Sequence, residues 1–234
     1  HAEVHTHDDI AVEIAKAGLR TVAHPWSAGI AADVAVMVSG NAMAHLYVEL
    51  DERRPPGWPR LAPRWSALAD GLLARPSVDL LLLPHSPDRC EVRSATRGVA
   101  FVERDGERFR YRRLESGDPL CCGSDVDGCA RVAYDAALGG DYPDSIVQIA
   151  RLAGSSRTGD LILSATPGFD FRARYEPIPH RSAHGALHRD HMLVPLLANR
   201  RPSRQPRRTT DLFASTLDAL GVPAPLVMDG ESFL

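Results

Sequence analysis

Some segments of the chain have apolar residues at helical spacing, and others are short continuous apolar runs. Together these patterns predict helices separated by short strands. Segment 5–20, HTHDDIAVEIAKAGLR, has apolar residues at helical spacing, which predicts an amphipathic helix capped by Thr6 or Asp8. Further helical periodicity is present in 64–76, 142–154 and 209–222. The last of these three predicted helices is followed by glycine, a common residue after a helix end.

Continuous apolar runs at 78–86, 159–168 and 191–198 are bounded by turn residues and predict buried strands of the parallel type. Segment 33–50 predicts two strands that are separated by the turn triplet at 39–41. Segment 90–114 alternates apolar and polar residues around Asp105-Gly106, which predicts a small antiparallel hairpin insert.

Helices that alternate with short apolar strands indicate an α/β fold, a three-layer sandwich around a mostly parallel sheet. We expect 158–165 and 191–197 to be neighbouring strands, with helix 210–220 packed on one face. The region at about 85–140 is expected to be an insert or a lid.

Composition narrows the class of protein. The chain has 234 residues, 44% of them hydrophobic, and a net charge of −3, which fits one globular domain and gives no basic surface for nucleic acid. No apolar run reaches membrane-spanning length. The arginine-rich run 200–208 has two interpretations, an anion site or a solvated loop. Four cysteines without zinc-ribbon spacing are expected to be free thiols.

Histidines are dense in the loop that precedes the last apolar run. They are His180, His184, His188 and His191. Imidazole is a good zinc ligand, but Gly185 argues against one helical face that carries all four, so one ligand with polar neighbours is the more plausible arrangement.

Two further segments leave alternatives open. His5, His7 and Asp9 have a spacing that suits a metal site, although helix capping explains the aspartate equally well. Asn41 or His45 faces the functional side of the sheet in one interpretation, and simply belongs to a β-turn region in the other.

The last third of the chain resembles the alkaline phosphatase superfamily, and within it the type I phosphodiesterase/nucleotide pyrophosphatase group. The resemblance covers residues 158–234: a GDLI strand, an AHG motif, the apolar MLVPLL and a patterned C-terminal helix and ending. The residues that fit the last part are Thr210, Asp211, Thr216, Leu217, Leu220, Gly221, Asp229, Gly230 and Ser232.

This resemblance implies an alkaline phosphatase-like fold and a role for His184 as ligand of one of two catalytic divalent metals, usually Zn²⁺. It implies much less for His180, His188 and His191, which are expected to be polar neighbours of a ligand or surface residues. The family's nucleophile and its Asp-His-Gly motif do not occur in this sequence. We therefore expect the chain to be an incomplete catalytic domain, 1–234, that begins shortly after that motif.

The predicted function is the C-terminal part of a metal-dependent phosphoester hydrolase, inactive alone, with a small phosphoester as substrate and the nucleophile upstream of His1. One alternative is a non-catalytic homologue or interaction module that has lost its metals. Another is phosphotransfer or mutase chemistry, which fits the motifs less well. The cysteines favour a cytoplasmic location, but a leader lost upstream leaves localisation open.

Overall fold

A computed structural model describes residues 1–23, 31–50, 57–173 and 178–234. It divides into two compact units, His1–Leu193 and Val194–Leu234. The strands are β1 (Ala2–His7), β2 (Thr21–Val22), β3 (Val34–Ser39), β4 (Met43–Tyr47), β5 (Val78–Ser86), β6 (Arg89–Ser94), β7 (Gly98–Asp105), β8 (Arg108–Arg113), β9 (Val126–Cys129), β10 (Leu161–Ala165), β11 (Gly168–Asp170) and β12 (Ser182–Ala183). The helices are α1 (Ile10–Lys16), α2 (Trp58–Leu73), α3 (Ala130–Leu138), α4 (Ser145–Ala153), α5 (Arg189–Met192) and α6 (Thr210–Ala219).

The strands of the first unit form two sheets, and both differ from the predicted one. The larger has nine strands in the order β2-β3-β4-β10-β5-β6-β7-β8-β9, and the smaller has the order β11-β1-β12. Every neighbouring pair of the larger sheet is antiparallel except β2 and β3. The prediction of a mostly parallel, alkaline phosphatase-like sandwich is therefore wrong.

Strand β5 explains why the sequence pattern was misleading. Leu81 and Leu83 belong to the core on one face of the sheet, whereas Leu80 and Leu82 belong to the core on the other. All four are fully buried. A continuous apolar run thus reports that both faces of a strand are covered, and it contains no information about the direction of the neighbouring strands.

Two helices cover each face of the larger sheet. The first core packs α1 and α2 against β3, β4, β5 and β10, and the second packs α3 and α4 against the strands from β5 to β9. The antiparallel insert predicted around Asp105-Gly106 does form a hairpin, with Asp105 opposite Arg108. It extends the same nine-stranded sheet, because β6 pairs with β5 along its length.

The N-terminal residues form a strand before the predicted helix. Residues 2–7 are the central strand β1, and α1 begins at Ile10. The cap is Asp9, whose carboxylate accepts a hydrogen bond from the Val12 amide at 3.1 Å, and neither Thr6 nor Asp8 has this role. Residues 5–7 had been predicted as part of the helix, but they belong to a strand because β1 pairs with β11 and β12.

The expected neighbouring strands at 158–165 and 191–197 are also wrong. Strand β10 lies between β4 and β5, and residues 193–197 form no strand. Pro195 has no amide hydrogen to donate to a ladder. Val194 and Leu197 are exposed, so this apolar run is not buried as a sheet strand would be.

In the second unit, the residues of the C-terminal motif hold the chain ending onto α6. The buried Asp211 carboxylate accepts hydrogen bonds from the amides of Arg207 and Glu231 at 2.9 and 3.1 Å. A side chain on Gly230 would overlap the carbonyl of Thr210. This motif is therefore explained by folding, since its contacts are internal to the unit. No helix of the described segments is long and apolar enough to cross a membrane.

Candidate functional site

A tight hairpin between β3 and β4 forms the base of the candidate site. Gly40 and Asn41 both have left-handed backbone, with φ of 58° and 65°. Two successive left-handed residues are typical of the turn that joins twisted antiparallel strands. The turn predicted at Ser39-Gly40-Asn41 is confirmed.

His184 is fixed to this hairpin through its backbone. Its amide donates to the Gly40 carbonyl at 2.7 Å, and its carbonyl accepts from the Ala42 amide at 3.1 Å. A Cβ on Gly40 would overlap both the imidazole and the carbonyl of His184. Gly185 has φ of 103°, and a Cβ there would lie 2.9 Å from the Ser39 carbonyl oxygen. Both glycines are thus needed where the loop crosses the turn.

The His184 imidazole lies at the surface, beside the start of β1. His184 is exposed, and its ring stands edge-on to that of His1 with 4.8 Å between the centroids. Pairing of Ala2 with Ala183 brings the two histidines together. The side chain predicted as a metal ligand is therefore accessible, and its backbone is hydrogen-bonded to the hairpin.

A second group of polar side chains surrounds Asp170, a residue the sequence pattern did not single out. Asp170 is fully buried, and its carboxylate accepts hydrogen bonds from the Arg172 amide at 2.6 Å and from Asn41 Nδ2 at 3.1 Å. The Nδ1 atoms of His7 and His180 lie 3.6 and 3.9 Å from Asp170 Oδ2. Asn41 Nδ2 is also in close contact with His180 Nδ1. We name these four side chains the Asp170 cluster.

Two interpretations were open for Asn41, a β-turn residue and a residue on the functional side of the sheet. The structure places it both in the turn and beside Asp170. Its backbone forms the turn, and its buried side chain joins the Asp170 cluster. His45 has a structural role, because its Nδ1 accepts a hydrogen bond from the Gly159 amide at 3.1 Å. Burial lowers the pKa of His45, which favours the neutral ring that can accept this bond.

The remaining histidines do not join His184. His188 caps the short helix α5, and its ring lies edge-on to Tyr142 at 5.9 Å between centroids. Burial is the main cause of the lowered pKa of His191. His5 is exposed on β1, and Asp9 caps α1, so the trio His5, His7 and Asp9 is not brought together as one site. Among the described residues, no group of three or more His, Cys, Asp or Glu side chains could hold a metal ion.

The four cysteines are free thiols, as predicted. Burial raises the pKa of Cys122 to about 12 and raises that of Cys90 further. Cys129 is different, because backbone amides at the start of α3 lower its pKa.

Next to the Asp170 cluster, Asp8 ties the end of β1 to the end of α2. Its carboxylate accepts hydrogen bonds from Arg75 Nη2 and Nε at 2.7 and 2.8 Å. Burial raises the pKa of Asp8, but hydrogen bonds from Arg75 and Ser77 and the guanidinium charge together lower it below its usual range. The ionised carboxylate therefore stabilises the folded unit.

Asp8→Asn is expected to lower the free energy of unfolding at pH 7 by about 1.5–3 kcal/mol, the range for hydrogen bonds to charged groups. Because the folded pKa of Asp8 is the lower one, this stabilisation is present above the unfolded-state pKa of about 4 and is lost as the pH falls through the folded value. Urea denaturation at pH 7, 5 and 3 measures it. The exposed Asp88→Asn is the matched control. A difference from wild type that persists undiminished at pH 3 would contradict the assignment.

Comparison with known proteins adds no family assignment. No protein-family model matches the chain, and neither a curated protein nor a solved structure matches it.

Proposed function

We propose that this chain is the C-terminal part of a metal-dependent phosphoester hydrolase of the phosphodiesterase/nucleotide pyrophosphatase type. In this proposal His184 is one ligand of a metal centre, and the nucleophile and the other ligands precede His1. Residues 158–234 supply the ordered motifs on which the resemblance to that group is based. The antiparallel sheet contributes no support, so the proposal rests on those motifs and on the placement of His184.

The contact between His1 and His184 is the observation that carries this proposal. The two rings are 4.8 Å apart, so any residues that precede His1 would enter the structure beside His184. The resemblance to that group implies an Asp-His-Gly motif shortly before this point of the chain. Ligands from an upstream segment would thus meet an imidazole whose backbone is already fixed by Gly40 and Gly185.

One histidine cannot hold a zinc ion, because a structural or catalytic zinc takes about four ligands in all. His184 would supply one of them from a rigid loop, which reduces the ordering needed when a metal binds. A pair of such metals, when bound, would activate a nucleophile and stabilise a leaving oxygen of the phosphoester. Residues 1–234 alone are accordingly expected to show no turnover.

Hydrolysis of bis(p-nitrophenyl) phosphate with added Zn²⁺ or Mn²⁺ tests this proposal. The assay uses two proteins, residues 1–234 and the longer protein encoded with the sequence ahead of His1. We expect the longer protein to be active and His184→Ala to reduce its turnover at least about 100-fold, since even changes around a metal ligand cost 10–100-fold.

His5→Ala is the matched control, because His5 is an exposed histidine on the neighbouring strand β1. It should retain the parent rate. A His184→Ala protein that hydrolyses the ester at the parent rate would exclude the ligand role. Turnover by residues 1–234 alone, abolished by His184→Ala, would show that no upstream part is required.

A second candidate function is a non-catalytic interaction module. It is favoured by the exposed apolar side chains of the second unit, among them Phe213, Leu220 and Val227. Exposed apolar surface of this kind is common at protein–protein interfaces. Inactivity of the longer protein towards phosphodiesters under all metal conditions would favour this candidate.

A further inference from the structure

Large apolar side chains that face solvent are concentrated in the second unit. Nine of them belong to residues 194–234, whereas seven belong to the described part of residues 1–193, which is a far longer stretch of chain. Single exposed apolar side chains are ordinary, but a group of them in one region marks a surface that binds a membrane or another protein. The second unit is therefore the part of the described chain where such a surface is expected.

One group of these side chains lies in segment 194–203, which has no regular secondary structure. Every residue of the segment is exposed, and its large apolar residues are Val194, Leu196 and Leu197. Leu197 has 95% of its surface exposed, so its side chain contributes almost nothing to the packing of the unit. Exposing a leucine to water is unfavourable, and the folding of the unit does not account for it.

Positive charge follows these apolar residues along the chain. Residues 194–208 contain five arginines and no acidic residue. Arg204 and Arg207 face carboxylates from later in the chain at 3.3 and 3.9 Å. Arg200 and Arg201 are exposed, and neither has an ion pair with a described residue. Two guanidinium groups directly after the exposed leucines are thus available to an anionic ligand.

A second apolar loop, 221–227, belongs to the same unit. Its sequence is GVPAPLV, which contains no charged or hydrogen-bonding side chain, and every residue of it is exposed. Leu226 and Val227 have 91% or more of their surface exposed. Like Leu197, these side chains protrude from the unit that carries them, so the apolar surface is made of two protruding loops.

The chemistry of the two loops suits an anionic lipid surface. A protein interface is packed as closely as a protein interior, which requires a matching shape, whereas a fluid bilayer accommodates side chains that protrude separately. Apolar side chains enter the boundary between headgroups and acyl chains, and guanidinium groups reach the lipid phosphates. Each arginine near an anionic bilayer strengthens binding about fivefold.

We infer that the second unit binds the surface of an anionic bilayer through the apolar side chains and the unpaired arginines of these loops. Leu197 and Leu226 enter the bilayer, and Arg200 and Arg201 contact the phosphate groups of its lipids. The inference uses no residue of the metal centre proposed above, so it does not depend on the hydrolase function.

Cosedimentation of residues 1–234 with vesicles tests this inference. We expect binding to vesicles of equimolar phosphatidylcholine and phosphatidylserine, and at least about tenfold weaker binding to pure phosphatidylcholine, which has no net charge. The double variant Arg200→Gln/Arg201→Gln should weaken binding to the anionic vesicles about 25-fold. Leu197→Ser/Leu226→Ser should weaken it at least about tenfold, because burial of even one leucine contributes that much.

Arg131→Gln/Arg157→Gln is the matched control, because it removes the same charge from two exposed arginines of the first unit. It should bind the anionic vesicles like the parent. The substituted side chains of all three double variants are exposed, so thermal unfolding should be nearly unchanged in each.

Absence of binding to the anionic vesicles would overturn the inference, and so would an equal loss in the control. Undiminished binding by Leu197→Ser/Leu226→Ser would exclude insertion of the apolar side chains and overturn it as well. A dimer in sedimentation velocity that dissociates on these leucine substitutions, without vesicle binding, would assign the surface to a second copy of the chain instead. Losses in both double variants of the second unit alone would support the inference whatever the result of the hydrolysis assay.

Discussion

Replacing Leu82 by alanine is expected to lower the free energy of unfolding of the first unit by about 2–5 kcal/mol, the range for large-to-small changes in a core. Leu82 is fully buried in the second core, on the central strand β5. Leu81→Ala should cost a similar amount, because Leu81 is fully buried on the opposite face, in the first core. Thermal or urea unfolding measures both losses.

Leu138→Ala is the matched control, because Leu138 on α3 is 39% exposed. Its loss should stay below about 1 kcal/mol, since partly exposed positions contribute little and alanine is a good helix former. If Leu81→Ala behaved like Leu138→Ala while Leu82→Ala did not, only one face of β5 would be a core, and the two-sided sheet would be wrong.

Gly40→Ala is expected to destabilise the first unit by about 2–5 kcal/mol, and to displace the loop that carries His184. Two effects combine in this variant. Alanine in left-handed backbone costs about 1–2 kcal/mol, and the new methyl group overlaps His184, where overpacking typically costs about 1–3 kcal/mol more.

Gly106→Ala separates these two effects. Gly106 lies in the hairpin between β7 and β8 with φ of 57°, close to the 58° of Gly40, but a Cβ there would have no atom within 4 Å. It should therefore show only the backbone cost. Equal destabilisation by the two substitutions would mean that His184 does not press against the hairpin turn as described.

The sequence pattern predicted local structure better than it predicted the arrangement of the strands. The buried strand at 78–86, the turn at Asp105-Gly106 and the helix at 209–222 were all found close to their predicted positions. Strand direction was wrong because the apolar run of β5 is equally compatible with parallel and antiparallel neighbours. Direction depends on connections between strands, which local periodicity does not contain.

The local pattern also gave wrong predictions for two other segments, residues 2–7 and the apolar run after His191. Residues 2–7 pair with β11 and β12, two strands that are far along the chain, so no neighbouring residue indicates the pairing. The apolar run after His191 has the composition of a strand but is exposed. Burial is a property of the whole fold, and composition predicts it only on average.

The candidate site was partly predictable. The family resemblance singled out His184, whose role as a ligand stays a prediction, and the backbone contacts with Gly40 give that glycine a physical role. Asp170 was missed because its importance depends on His7, His180 and Asn41, which are brought to it from three other segments. A carboxylate shortly after a buried strand was the only local signal.

The most direct test of the account is the position of metal in a crystal of the longer protein grown with Zn²⁺ and measured at the zinc absorption edge. The account predicts an anomalous peak about 2.0–2.1 Å from a ring nitrogen of His184, the usual zinc–histidine bond length. A protein with fully occupied zinc sites in which His184 remains in contact with solvent alone would contradict it.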